Sequence, residues 1–329
     1  MNCIAFCGSL IVDEIKMIPS WPEKGMLVPI TSLSRAVGGA VCNTGIDLKT
    51  LDPSIVVKAV GKVGDDDRGG FVVKTLSDRG IDVSQVMREK GVPTSFTDVM
   101  TVSTTGERTF FNIHGADSAL VPDDIDPATL GCDLFHFGYL LLLDGMDAPD
   151  EEYGTKAARL LAKVQAAGIK TSVDVVSEQS ERFARVVRPA LKYCDYAIVN
   201  EVEGSIATGV DKSDLKGICE GLLALGVKER VTVHCPEVGV TMGRAGDYVA
   251  VPSLDLPDGW IRGSVGAGDA FCAGMLYSIM KGLPPEEALR LASCAAACNL
   301  AAPDSIGGAR SLAETMELDS RFSRRKTAL

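Results

Sequence analysis

Short apolar runs rich in β-branched residues alternate with helical patterns along most of the chain. Between the runs, apolar residues recur at helical spacing, as at Leu215, Ile218 and Leu222. Alternation of this kind is typical of a parallel sheet that is covered by helices. The runs that we predict to be its strands are residues 4–6, 55–60, 134–137, 170–175, 196–199 and 230–233.

Two stretches break this alternation and predict a separate small sheet. Residues 18–37 contain three prolines, and residues 94–113 hold two strand-like runs around a turn. We therefore predict a single α/β domain over residues 1–329. It should be a three-layer α/β/α sandwich with a mostly parallel central sheet and a small β-sheet lid, formed by insertions at about 16–37 and 94–115.

The C-terminal segment carries a weaker pattern. Beyond Ser311 the sequence predicts a weakly amphipathic helix, followed by a basic tip at residues 321–326. Terminal segments of this composition are usually solvated and frayed, so we expect no function for the tip.

The charge and cysteine content restrict the environment and the partners. The formal net charge is -11, with a pI of about 4.9, which opposes binding to nucleic acid or to an anionic membrane. We see no signal peptide at the start of the chain and no run near the roughly 20 apolar residues of a membrane span. The ten cysteines include no C-x-x-C pair. We therefore expect a cytoplasmic protein with reduced thiols.

A glycine-rich segment at residues 263–269 leads directly into an apolar helix at 270–280. Its glycines allow close approach of the backbone to a ligand, and the amides at the helix start would form an anion-binding hole. Asp269 stands at the mouth of that hole, where it could accept the proton of a hydroxyl that attacks phosphorus. The alternative from these residues alone is a tight turn with Asp269 as an ordinary helix cap.

Three segments resemble known family motifs. Residues 266–271 with Ala273 and Gly274 are similar to the C-terminal signature of the ribokinase family, the phosphofructokinase B type carbohydrate kinases. Residues 38–43 resemble the Gly-Gly motif of that family, and residues 200–203 resemble its N-x-x-E motif. The resemblance implies an ATP-dependent kinase that transfers the γ-phosphoryl group to a hydroxyl of a sugar or sugar-like small molecule, with Mg²⁺.

The resemblance also implies roles for individual residues. Asp269 would be the catalytic base, and Gly266, Ala267 and Gly268 would form the anion hole. The expected sugar contacts are Asp13, Gly38, Gly39, Asn43, Asn112 and His114. The expected nucleotide contacts are Asn200, His234, Glu237, Gly239, Gly268 and Asn299, and Glu203 would hold Mg²⁺ through water. Taken alone, Asp13 would be a loop acid and Asn43 a helix cap.

The chain departs from the family pattern at three places. Gly263 replaces an aspartate that helps to hold a monovalent cation, so we do not predict such an ion. The nucleotide turn, residues 234–239, keeps only the last glycine of the usual T-x-G-x-x-G. Ala40 replaces a lysine of the Gly-Gly motif in ribokinases, which argues against ribose as the substrate.

Other functions remain open at this point. A nucleoside kinase of the same fold would share the catalytic residues, and the altered nucleotide turn would suit a non-catalytic sugar or nucleotide sensor. A nicotinamide dehydrogenase is less well supported, because Gly8 is not part of a G-x-G-x-x-G motif after the first strand. The partners expected are a small-molecule sugar and ATP, and open lid edges favour a homodimer through the lid.

Overall fold

Strands and helices alternate along the chain, as the hydrophobic pattern predicts. The computed structural model describes residues 1–178 and 180–326. Within them the strands are β1 (Cys3–Gly8), β2 (Ile11–Ile18), β3 (Ser32–Gly38), β4 (Val56–Gly64), β5 (Asp82–Glu89), β6 (Phe96–Val102), β7 (Arg108–Ile113), β8 (Leu134–Leu140), β9 (Pro149–Asp150), β10 (Gly154–Thr155), β11 (Lys170–Val175), β12 (Tyr196–Asn200), β13 (Arg230–His234), β14 (Val238–Gly243) and β15 (Tyr248–Pro252). The α-helices are α1 (Ala40–Leu51), α2 (Asp67–Asp78), α3 (Pro127–Leu130), α4 (Asp144–Asp147), α5 (Lys156–Ala166), α6 (Arg182–Leu191), α7 (Glu201–Thr208), α8 (Leu215–Ala224), α9 (Ala267–Lys281), α10 (Pro285–Leu300) and α11 (Leu312–Arg321).

The large sheet has nine strands in the described part of the chain, in the order β15-β14-β13-β12-β11-β8-β1-β4-β5. From β13 to β5 all neighbours are parallel, whereas β14 and β15 add an antiparallel edge. All six runs predicted as strands belong to the parallel part. Helices that connect parallel strands must cross over a face of the sheet, and both faces are accordingly covered.

Two apolar cores separate the sheet from its helices. On one face, α1, α2, α9 and α10 contribute buried side chains such as Val41, Val72 and Leu276. On the other face, α5, α6 and α8 contribute side chains such as Leu161 and Leu222. Burial of each such leucine stabilises the fold by about 1.5–3 kcal/mol. The predicted three-layer α/β/α arrangement is therefore confirmed.

The smaller sheet has the strand order β3-β2-β6-β7. Strand β2 pairs antiparallel with β3 and parallel with β6, and β6 pairs antiparallel with β7. Three of these strands lie within the segments expected to form the lid, while β2 already begins at Ile11. The mostly parallel main sheet with a small additional sheet agrees with the predicted fold class.

Helix α9 begins at a position whose backbone conformation and surroundings only glycine can accommodate. Gly266, the N-cap, has a φ of 82°, and a Cβ atom there would collide with the carbonyl oxygen of Ser305. The helix then runs to Lys281, and Gly282 in the left-handed conformation ends it. The helix therefore starts three residues before the apolar stretch that revealed it in the sequence.

The basic tip of the chain is packed, in contrast to the frayed terminus that we expected. Helix α11 starts at the capping residue Ser311, as predicted. After it, the backbone amide of Arg325 donates to the carbonyl oxygen of Ser253 at 2.9 Å, and Asp255 donates to Ser323 at 2.8 Å. Backbone pairing with the segment after β15 thus holds the tip in place. No helix of the described residues is both long and apolar enough to cross a bilayer.

Candidate active site

Polar side chains gather where neighbouring parallel strands end. Tyr139 lies near the end of β8 and Asp174 near the end of β11. Asn200 ends β12 and His234 ends β13, and these two residues are direct neighbours in the strand register. The carboxyl ends of parallel strands meet at one edge of the sheet, which is where open α/β proteins bind ligands. This edge carries the candidate active site.

The Asp269 carboxylate lies in a hydrogen-bond network that joins α1, β8 and α9. Asn43 Nδ2 donates to Oδ2 at 3.1 Å, and Thr44 Oγ1 donates to Oδ1 at 3.1 Å. The Tyr139 hydroxyl also donates to Oδ1, at 2.6 Å. Because Gly266 is the N-cap of α9, Asp269 is the third residue of the helix and its side chain does not cap it. The helix-cap alternative from the sequence is therefore not what the structure has.

Burial dominates the acidity of Asp269, of which 7% is exposed. Burial raises the pKa of this carboxyl to about 6, and the charge of Asp174 acts in the same direction. The hydrogen bond from Tyr139 opposes the rise in pKa, as do those from Asn43 and Thr44, because they stabilise the ionised form. A carboxylate with this pKa is ionised at pH 7 and is a stronger base than an exposed aspartate.

The first turn of α9 offers backbone N–H groups to a neighbouring cavity. Ala267 and Gly268 line that cavity. The Ala267 amide donates to the carbonyl oxygen of Ser264 over a long 3.4 Å, and the amides of Gly268 and Asp269 have no partner among the described residues. Unsatisfied amides at a helix N-terminus stabilise anions, since the helix dipole adds to their own. The geometry of this turn therefore suits a phosphoryl group.

The cavity has a volume of about 470 Å³ and a largely apolar wall. His234 packs against Phe271 with ring centroids 4.6 Å apart, and burial lowers the pKa of His234 to about 4, so the ring is neutral at pH 7. The residues that line the cavity are Asn200, Glu201, Val202, His234, Cys235, Pro236, Ser253, Leu254, Leu256, Ile261, Ser264, Ala267, Gly268, Phe271, Ser293, Ala296, Ala297, Leu300 and Arg325. Its size and its apolar wall suit a small organic ligand such as a nucleotide.

Asn200 and Glu203 form a reciprocal cap at the start of α7. Asn200 Oδ1 accepts from the amides of Val202 and Glu203, and the Glu203 carboxylate accepts from the Asn200 amide. Ser177 adds a hydrogen bond of 2.7 Å to Glu203 Oε1. Burial and, to a smaller extent, the nearby Asp174 charge raise the pKa of Glu203 to about 7, against the lowering effects of the hydrogen bonds from the Asn200 amide and Ser177. Asp174 Oδ1 is itself buried and has no hydrogen-bond partner among the described residues.

The smaller sheet places Asp13 in a polar row. Asp13 on β2 is opposite Thr97 on β6, and Thr97 is opposite Asn112 on β7, so the three side chains share one face. Asn112 Nδ2 donates to Thr97 Oγ1 at 3.0 Å. Burial raises the pKa of Asp13 to about 6, against the lowering effects of Thr97 and Arg108.

The Gly-Gly segment joins this row to Asp269. A Cβ atom on Gly38 would lie 2.9 Å from Asp13 Oδ2, so the missing side chain lets the two elements meet. Gly39, with a φ of 86°, starts α1, whose fourth residue is Asn43. The polar row of the small sheet and the Asp269 network are therefore connected through one turn of backbone.

The comparison with protein families decides the class of this arrangement. The profile of the pfkB family carbohydrate kinase matches residues 1–311. The chain belongs to the pfkB family of carbohydrate kinases. The predicted ribokinase-family membership and the sugar kinase class are thereby confirmed.

Relatives of this pfkB family kinase are distant in sequence but similar over most of their length. The fructokinase of Escherichia coli is 27% identical over 324 residues, which cover 95% of this chain and 97% of that protein. Fructokinase-1 of Zea mays is 25% identical over 282 residues, which cover 83% and 82%. The structure of Arabidopsis thaliana ribokinase complexed with ribose and ATP matches with a TM-score of 0.76 at 20% identity, covering 96% of this chain and 98% of that one. The structural likeness shows that the fold is shared.

Three further residues that were expected to contact a ligand, Glu237, Gly239 and His114, do not line the cavity of this pfkB family kinase. Glu237 is exposed beside the cavity but does not line it. Gly239 is buried against Phe271 and Leu289. His114 Nδ1 is 3.0 Å from Asp144 Oδ2.

Asn299 requires a correction. It was expected to contact the nucleotide, but its side chain is fully buried and Nδ2 donates to the carbonyl oxygen of Ser305 at 2.6 Å. Ser305 Oγ in turn donates to Asn43 Oδ1 at 3.1 Å. Asn299 therefore supports the Asp269 network from behind, because it fixes the loop that orients Asn43.

Sequence reasoning did not find several residues that the fold brings to the site of this kinase. Thr44 adjoins the recognised Asn43, so the motif on α1 was read one residue short. Tyr139 and Asp174 come from the ends of β8 and β11, and their position at strand ends was the available signal. Ser177 and Arg325 lie in segments without a motif, and only the fold shows their proximity to the site.

Proposed function

We propose that this protein is an ATP-dependent carbohydrate kinase that uses Asp269 as its catalytic base. In this proposal the adenine ring of ATP occupies the apolar cavity. The transferring phosphoryl group accepts hydrogen bonds from the amides of Gly266, Ala267 and Gly268. The acceptor sugar lies between Asp269 and the polar row of the small sheet. The proposal rests above all on one observation: Asp269 directly follows Gly268, which lines the cavity, and its carboxylate accepts a hydrogen bond from Asn43 on α1.

The chain's own residues would perform the proton transfer and the charge stabilisation. Asp269 Oδ2 accepts one hydrogen bond from the described residues, so a lone pair remains for the acceptor hydroxyl. As the oxygen of the acceptor hydroxyl attacks the γ-phosphorus atom, the hydroxyl proton moves to Asp269. At the same time, the bond from the γ-phosphorus to the β-phosphate oxygen breaks. The amides of the first turn of α9 stabilise the negative charge that spreads over the phosphoryl oxygens.

The residues around α7 fit the Mg²⁺ that this chemistry requires. Carboxylate oxygens are the ligands that Mg²⁺ prefers, and Asp174 offers a buried oxygen that has no other partner among the described residues. Asp174 and Glu203 would hold the ion, largely through water. When bound, it would neutralise charge on the β- and γ-phosphates.

We further propose that the acceptor is a neutral, hydroxyl-rich sugar. Asp13, Thr97 and Asn112 offer oxygen and amide groups to hydroxyls on one face of the small sheet. A carboxylate in this row disfavours an anionic substrate, because like charges repel.

A panel of ATP with hexoses, pentoses, polyols and nucleosides tests the proposal. ADP release with a sugar is expected, and Asp269→Asn should lower kcat by about 10²–10⁴-fold while sugar affinity changes little. Asp52→Asn, at the far end of α1, is the matched carboxylate control. An active Asp269→Asn enzyme would refute the role of Asp269 as catalytic base. Turnover of nucleosides alone would identify a nucleoside kinase instead of a sugar kinase. Ligand binding without any ADP release would indicate a sensor.

Assembly and location complete the proposal. We propose a homodimer formed through the lid, since the outer strands β3 and β7 leave edges unpaired in the described sheet and carry exposed Leu33 and Phe111. All ten cysteines are free, which agrees with a reducing compartment such as the cytoplasm.

A further inference from the structure

The segment after α11 is built into the wall of the cavity. Phe322 packs edge-on against Trp260, with ring centroids 5.0 Å apart, and the Trp260 indole donates to the carbonyl oxygen of Ala297 at 2.8 Å. Leu254 and Arg324 form an antiparallel β-bridge. Because Ala297 and Leu254 also line the cavity, the same residues fix the terminal segment and bound the site.

The two arginines of this segment differ in their contacts. Arg324 Nη1 donates to the carbonyl oxygen of Pro252 at 2.7 Å and to Ser293 Oγ at 2.9 Å. Its guanidinium also pairs with Asp319. The two terminal nitrogens of Arg324 are therefore already bonded, and Arg324 anchors the following residue at the cavity.

Arg325 has a different environment. Its side chain lines the cavity, and its guanidinium forms no hydrogen bond or ion pair with any residue in 1–178 or 180–326. Among the lining residues it is the single cation, since His234 is neutral at pH 7 and the other charged group is Glu201. A protein with a net charge of -11 attracts a nucleotide only through local groups of this kind.

Arg325 belongs to the part of the cavity wall that is formed by the segment after β15 and by α10, whereas the anion hole is formed by the first turn of α9. The backbone partner of Arg325, Ser253, and the side-chain partner of Arg324, Ser293, both line this part of the wall. We propose that Arg325 contacts the base of the nucleotide, so that the C-terminal segment contributes a recognition residue to the ATP site. A guanidinium can stack on a base and donate to its ring nitrogens. This inference rests on the proposed ATP site.

The kinetics of Arg325→Ala test the inference in the full chain. We expect KM for ATP to rise by ~3- to 30-fold, with kcat and KM for the sugar nearly unchanged. Lys326→Ala removes an exposed charge one residue further and should behave as wild type. Arg325→Lys keeps the charge but not the planar group and should recover little of the affinity. Equal KM values for ATP in wild type and Arg325→Ala would overturn the inference.

Binding measurements separate this inference from the proposed function. Titration calorimetry with ATP should show weaker binding to Arg325→Ala, whereas inorganic tripolyphosphate should bind both proteins equally. A loss of tripolyphosphate binding would assign Arg325 to the phosphates and overturn the contact to the base. Should wild type bind no ATP, the proposed function itself fails; should wild type bind ATP and Arg325→Ala bind it equally well, only this inference fails. An unchanged Tm of Arg325→Ala shows that the segment remains folded.

Discussion

The hydroxyl of Tyr139 donates to Oδ1 of Asp269 at 2.6 Å and so connects the end of β8 to the first turn of α9. A hydrogen bond to an ionised carboxylate stabilises the charged form and lowers its pKa. Burial acts more strongly in the other direction, and the pKa of Asp269 reaches about 6. Tyr139 therefore adjusts the base strength of the residue on which the proposed reaction depends.

Replacement of Tyr139 by phenylalanine should raise the pKa of Asp269 further, because it removes a donor to the ionised form. The acidic limb of the pH dependence of kcat/KM, which should lie near pH 6 in wild type, should move upward by about one pH unit. Rate profiles between pH 5 and 9 measure the shift. Tyr277→Phe, two turns further along α9, is the control. An acidic limb that stays in place would show that Tyr139 does not act on the base.

The sequence predicts this site in part, and the reason differs from residue to residue. Asp269 and Gly266 are recognisable because a glycine-rich loop before an apolar helix is a local pattern. Tyr139 and Asp174 are not, because their roles depend on neighbouring strands that are distant in the chain. The antiparallel edge β14–β15 was also missed, since short strands joined by turns lack the helices that mark the parallel part.

Substitution of Asp269 by asparagine should change how stability depends on pH. Between its ordinary pKa of 3.8 and about 6, the folded protein binds more protons at Asp269 than the unfolded chain does. The contribution of this group to stability therefore falls as pH rises through that window. The stability of Asp269→Asn relative to wild type should accordingly improve between pH 4 and pH 7, by on the order of 3 kcal/mol.

Chemical unfolding of both proteins at pH 4, 5, 6 and 7 measures this difference. Asp52→Asn supplies a control of opposite sign, because the hydrogen bonds of Ser54 and the nearby Lys281 lower the pKa of Asp52. The relative stability of that variant should decline slightly as pH rises. If the relative stability of Asp269→Asn is the same at all four pH values, its carboxyl does not have a raised pKa.

Loss of the Ser177 hydroxyl should weaken the response to Mg²⁺. Ser177 donates to Glu203 Oε1 at 2.7 Å, and this bond lowers a pKa that burial has already raised to about 7. In Ser177→Ala more of Glu203 is protonated at pH 7, and a protonated carboxyl is a poor ligand. The Mg²⁺ concentration for half-maximal activity should rise severalfold at pH 7 and approach the wild-type value at pH 8.5.

Magnesium titrations at the two pH values check this expectation, and removal of the metal with EDTA should abolish turnover of both proteins. Ser205→Ala is a suitable control, because Ser205 lies on α7 together with Glu203 but donates to the carbonyl oxygen of Val210 instead of to Glu203. An identical Mg²⁺ requirement in Ser177→Ala and wild type at both pH values would contradict the assignment of Glu203 to the metal.

Charged substitutions on the outer face of the lid should separate the proposed dimer. Leu33 is 70% exposed and Phe111 is 52% exposed. Both lie on the face of the small sheet opposite Asp13, so neither belongs to the polar row. Exposed apolar side chains on strands with open edges favour pairing with a second chain. The wild type should have twice the chain mass of 34.7 kDa in sedimentation velocity, and the double variant that carries Leu33→Asp and Phe111→Asp should have the mass of one chain.

Val56→Asp is the control, because it introduces the same charge at a 48% exposed position outside the lid, and this variant should remain dimeric. Sedimentation velocity at micromolar concentration decides the matter, since a monomeric wild type, or a double variant that stays dimeric, would rule out assembly through this face.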